Sequence, residues 1–63
     1  MQIGDLVKFK DCGTVGIVVK RERYFDVIIF DMWVDEVTIL TAGDHYTVKH
    51  PHWNTLEVIS ESR

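Results

Sequence analysis

The sequence has 63 residues, 46% of them hydrophobic and 27% charged, with a formal net charge of -3 and one cysteine. So short a chain allows one domain, spanning 1–63, that buries about 60% of the surface its unfolded form exposes, and its apolar content excludes a disordered chain. Cys12 cannot form an internal disulfide, Met1 to Asp5 has neither a basic nor an apolar leader region, and no apolar run reaches membrane-spanning length. These features predict a soluble cytoplasmic protein without a membrane partner, and the acidic balance gives no global attraction to phosphate backbones.

Apolar residues recur with period two along most of the chain, which predicts strands and no helix. In the first segment Ile3, Asp5, Val7 and Phe9 share one face, and Leu6, Lys8 and Lys10 the other. Asp11-Cys12-Gly13 reads as a turn. A second strand begins at Val15 and ends in Lys20-Arg21-Glu22-Arg23, a charged stretch suited to an exposed hairpin connection or a twisted strand end; Gly16 within it signals a bulge or a close backbone approach. Tyr24 to Asp31 is the densest strand candidate, apolar on both faces at its centre, which implies a sheet that curls over itself.

After a bend at Asp31-Met32-Trp33, Val34 to Thr41 reads as a fourth strand and Ala42-Gly43-Asp44 as a turn. His45 to His50 reads as a short edge strand ended by Pro51, and Leu56 to Ile59 as a closing strand that pairs near the first; Ser60 to Arg63 is expected to fray. Five or six short strands with tight turns predict an all-β fold, a small closed or nearly closed barrel.

Gly4-Asp5-Leu6-Val7-Lys8, Gly13-Thr14-Val15-Gly16-Ile17-Val18-Val19, Ile29-Phe30-Asp31 and Leu56-Glu57-Val58-Ile59 follow one another in a familiar order. This order resembles SH3-like barrels of the KOW and translation-factor type, in which a G-D-x-V start is followed by a glycine-bearing turn and a G-x-V strand. It is also similar to short SH3-like proteins of tailed bacteriophages. The resemblance implies a small binding barrel, and the phage likeness an accessory or virion protein, in the host cytoplasm or the virion.

Little in the sequence points to catalysis. Cys12 with one of His45, His50 or His52 is the sole pairing of nucleophile and base, and it lacks an orienting group or oxyanion site. The same four residues do not have zinc-ligand spacing, and Pro51 disturbs the extended geometry that would align His50 with His52. A non-enzyme with no metal or cofactor is expected. Asp31, Asp35, Glu36 and Asp44 read as carboxylates that solvate or cap turns.

Two binding surfaces compete. Trp33, Tyr46 and Trp53 stand beside polar residues in bends or edges, either as anchors for a protein partner or a second copy, or as plugs at the open ends of the barrel. Lys8, Lys10, Lys20, Arg21 and Arg23, with Tyr24 and Phe25 to stack bases, form the alternative, a nucleic-acid surface. Glu22, Asp26 and the acidic balance disfavour it. The leading expectation is a non-catalytic protein-interaction or assembly module.

Overall fold

The computed structural model describes residues 1–60 and consists of strands β1 (Leu6–Phe9), β2 (Val15–Asp26), β3 (Met32–Leu40), β4 (His45–Lys49) and β5 (Leu56–Ser60), with a 3-10 helix over His50–Thr55. All five strands join one antiparallel sheet in the order β4-β3-β2-β1-β5. The all-β expectation and the return of the last strand to the first both hold, with Val7 opposite Val58 and Phe9 opposite Leu56. Of the segment expected to fray, Ser60 to Arg63, Ser60 instead ends β5 opposite Leu6, and residues 61–63 fall outside the described residues.

Closure differs from expectation. β4 and β5 are the two edges of an open sheet and do not hydrogen-bond to each other. The 3-10 helix takes the place of that pairing, touching β3, β4 and β5. Pro51 near its start removes a donor that a ladder would need, so the chain crosses from one edge to the other as a helical turn. No helix among the described residues is long and apolar enough to cross a membrane.

The core consists of Val7, Val18, Val37, Ile39 and Leu56, with Met1, Phe9, Val48 and Trp53 packed against it. Gly16 meets the expectation of a close backbone approach: a Cβ there would lie 2.5 Å from Ile39 Cγ2 and 2.8 Å from the Leu40 carbonyl oxygen. The irregularity in β2 falls slightly later, between Val18 and Lys20, where Val19 is bulged out of the register with β3. Ile3 does not share the buried face of Val7. The chain turns at Gly4, whose φ is 97°, and Ile3 is exposed, whereas Asp5 is buried and accepts a 2.8 Å hydrogen bond from the Gln2 backbone N–H.

The largest correction concerns the chain from Lys20 to Asp31. Lys20 to Arg23 is neither a hairpin connection nor a strand end but the middle of a twelve-residue strand, so the strands expected on either side are one. Cross-strand partners allow it: Arg21 faces Val37 and reaches Asp35 at 3.4 Å, while Arg23 stands directly opposite Asp35. The hairpin turn instead occupies residues 27–31.

Candidate interaction surface

β1 pairs with β2 only as far as Ile17, and β4 pairs with β3 only from Glu36 onward. Residues 23–26 of β2 and 32–35 of β3 therefore form a two-stranded arm that carries the hairpin turn at its end. Along this arm the buried side of the sheet changes. Val37 and Val34 are both fully buried, yet three positions apart they must point to opposite faces. Val37 belongs to the core, whereas Val34 lies on the face of its partner Tyr24 and of Glu36.

Asp26 holds the turn. Its Oδ1 accepts the backbone N–H groups of Ile28 at 3.0 Å and Ile29 at 2.9 Å, and its Oδ2 accepts from Lys49 Nζ at 3.1 Å. The Ile29 N–H is the largest cause that lowers its carboxyl to about 2, opposed by burial and supported by Lys49 and the Ile28 and Phe30 N–H groups. The Lys49 ammonium also lies over the rings of Tyr24 and Phe30, 5.9 and 5.7 Å from their centroids. Tyr24 donates its hydroxyl to Glu36 Oε2 at 2.9 Å, and the Phe30 ring meets His52 edge-on at 5.8 Å. Asp31 completes the turn with φ 50°, a left-handed conformation that aspartate tolerates better than most residues.

An acid titration tests this clasp. Because the folded pKa of Asp26 is depressed, its contribution to stability is fully present above the ordinary carboxylate value of 3.8 and is lost as pH falls towards 2. The gap in urea midpoint between wild type and Asp26→Asn is therefore expected to be constant from pH 7 to about 5 and to shrink progressively at lower pH. A gap unchanged down to pH 2 would refute the assignment.

What the clasp presents is apolar. Val27 and Ile29 are each 70% exposed and Ile28 is 89% exposed, with Phe25, Met32 and Trp33 exposed just below them. Phe25 and Trp33 face each other across the arm, edge to face at 5.7 Å, and the Arg23 guanidinium lies 5.7 Å from the Trp33 ring centre. The largest apolar patch on an ordinary monomer covers about 300–600 Å² and is often functional, and these six neighbouring apolar residues, 41–89% exposed, form a patch of that kind. Val27, Ile28 and Ile29, expected inside a strand buried on both faces, are among the most exposed apolar residues described.

The three predicted aromatic anchors do not come together. Trp33 joins the crown. Tyr46 pairs with Ile39, six residues and about 20 Å farther along β3, and meets Phe9 edge-on at 5.4 Å. There it lines a half-open pocket of about 220 Å³ with Phe9, Asp11, Cys12 and Thr14. Trp53 lies on the 3-10 helix, half-buried against the core, its indole N–H donated to the Val48 carbonyl at 3.1 Å.

The basic set is divided as well. Lys20 and Tyr24 point to one face of β2, and Arg21, Arg23 and Phe25 to the other. Lys20 is paired with Glu22, and both arginines with Asp35. Lys8 projects from β1 opposite Val15, on the face of Lys20, and Lys10 follows the end of that strand.

His50 accepts the Asp35 backbone N–H at Nδ1, and Cys12 donates to the Thr14 hydroxyl. Among the described residues, no group of three or more His, Cys, Asp or Glu could hold a metal ion. No protein-family model matches this chain, and no curated protein or solved structure matches it.

Proposed function

We propose that this protein is a non-catalytic interaction module that binds another polypeptide through the crown on the β2–β3 arm. The observation that carries this reading is the exposure of Val27, Ile28 and Ile29 on a turn held by five polar contacts and rings: the Asp26 carboxylate, Lys49, Tyr24, Phe30 and His52. A turn without a binding role has no reason to carry three branched aliphatic residues in water, since polar residues and glycine form turns at lower cost. Rigid support also lowers the ordering entropy lost on association. Trp33 and Phe25 are the aromatic anchors beside it.

The finer fold assignment, an SH3-like barrel, is supported by the return of β5 to β1 and by the change of buried side along β2 and β3, which curls the sheet. The phage accessory or virion role rests on the sequence resemblance. The nucleic-acid alternative is disfavoured by the division of its cations between two faces and by their carboxylate partners.

A photo-reactive residue placed at position 28, in cells that make the protein, tests the reading. Protein adducts are expected from position 28 and not from position 44, in the polar β3–β4 turn. Nucleic-acid adducts alone, or none, would overturn it.

A further inference from the structure

The pocket beside the β1–β2 turn has a chemistry of its own. Phe9 ends β1, Asp11, Cys12 and Thr14 belong to the turn, and Tyr46 comes from the edge strand β4, so the pocket lies where β1 and β4 approach each other without pairing. The Phe9 and Tyr46 rings, with centroids 5.4 Å apart and planes at 65°, are two walls set at an angle. Asp11 adds a carboxylate that makes no ion pair or side-chain hydrogen bond among the described residues. The Cys12 thiol is already engaged, donating to the Thr14 hydroxyl at 3.3 Å. We infer that this pocket binds a small organic cation, an alkylammonium group held by the two rings and the Asp11 carboxylate; the inference is independent of the crown, which lies about 20 Å away along β3.

Size, charge and ring chemistry together select this class. A volume of about 220 Å³ is smaller than the about 300–1,000 Å³ of pockets for drug-sized ligands. It equals the share of about seven waters at about 30 Å³ each, so the ligand is a molecule or group of about seven non-hydrogen atoms. Aromatic ring faces are electronegative and attract ammonium groups, quaternary ones included. An anion would meet the Asp11 carboxylate and a net charge of -3, and a neutral ligand would leave that carboxylate without a counter-charge. A metal ion lacks ligands, since no group of three His, Cys, Asp or Glu comes together among the described residues.

The protein's own cations do not fill the site. Lys8 and His45 each precede a lining ring by one strand position and therefore point to the opposite face of the sheet. Lys8 approaches the turn from that face, its Cε 3.8 Å from where a Gly13 Cβ would stand. Lys10 is not among the lining residues.

Titration with choline, and with the uncharged alcohol in which carbon replaces its nitrogen, tests this by backbone amide NMR. Choline is expected to shift the signals of residues 11–14 and 46 saturably, and the alcohol to bind about tenfold more weakly or worse. Asp11→Asn and Tyr46→Leu, verified as folded by circular dichroism, should each weaken choline binding several-fold. A third titration, with Nα-acetyl-lysine amide, separates a free amine from a polypeptide side chain as the source of the cation, the tighter binder naming it. Equal binding of choline and the alcohol would show a merely apolar pocket and overturn the inference. So would choline binding undiminished in Asp11→Asn, or no saturable shift with either amine. None of these results bears on the adducts expected from position 28.

Discussion

Gly16→Val is expected to leave the chain without a cooperative unfolding transition at 25 °C. The first added carbon would lie 2.5 Å from Ile39 Cγ2, 2.8 Å from the Leu40 carbonyl oxygen and 3.0 Å from Thr41 Cγ2. One of these is backbone within the central β2–β3 pairing, so no rotamer change relieves all three. Overpacking costs about 1–3 kcal/mol where side chains can shift, and more where a strand must move. At 0.05–0.15 kcal/mol per residue, a domain of this length has about 3–9 kcal/mol in total.

Gly16→Ala, with one added carbon, should retain a transition at a clearly lower urea midpoint. Adding Ile39→Ala should not restore it, because the Leu40 oxygen remains. Gly43→Ala is a useful contrast: no atom lies within 4 Å of its Cβ position, and only the φ of 114° opposes the substitution. Equal midpoints for Gly16→Val and wild type would show that β2 and β3 separate readily at this point, contrary to the packing described.

The second large effect separates the two tryptophans. Trp53→Ala is expected to cost about 2–4 kcal/mol, below the about 3–5 for a fully buried tryptophan, because Trp53 is half-buried, packs on the core cluster and donates to Val48. Trp33→Ala is expected to cost about 1 kcal/mol or less, the range of an exposed cross-strand aromatic pair, since Trp33 is 57% exposed and its ring meets Phe25 and Arg23 on the arm. Urea unfolding followed by circular dichroism measures both. Equal losses would contradict the division of one tryptophan to the core and the other to the crown.

Much of the sheet was legible from period two and punctuation. The turns at Asp11-Cys12-Gly13 and Ala42-Gly43-Asp44 lie where glycine and aspartate put them, with Gly13 and Gly43 at positive φ. β4 ends at Lys49, two residues before Pro51, which lies in the first turn of the 3-10 helix. The arm is not legible in this way, for a physical reason. Periodicity registers apolar residues but does not say which side is wet, and Tyr24 to Asp31 is apolar at both parities.

The deciding signal was the pair of aspartates bracketing Val27 to Phe30. Asp26 can accept the N–H groups two and three residues ahead, and Asp31 tolerates a left-handed backbone. Weighted above β-propensity, they would have marked a turn and left its aliphatic residues needing a functional explanation. Of the expected anchors, Trp33 belongs to that surface. Tyr46, on a pocket rim, and Trp53, half-buried on the core, share its sequence signature because proximity to polar residues does not distinguish those places from an exposed arm.

The pairing of β5 with β1 also orders events in time. The β2–β3 and β3–β4 pairings close loops of a few residues, whereas Leu6 opposite Ser60 encloses nearly the whole described chain. Loop-closure entropy grows with the enclosed length, so the local meander can form before the β1–β5 pairing offsets its larger cost. The crown is then built early and stands in water while the core below it is still incomplete. Molecules that meet through it at that stage would do so with edge strands unprotected, which makes folding at low protein concentration the condition that favours separate, correctly folded copies.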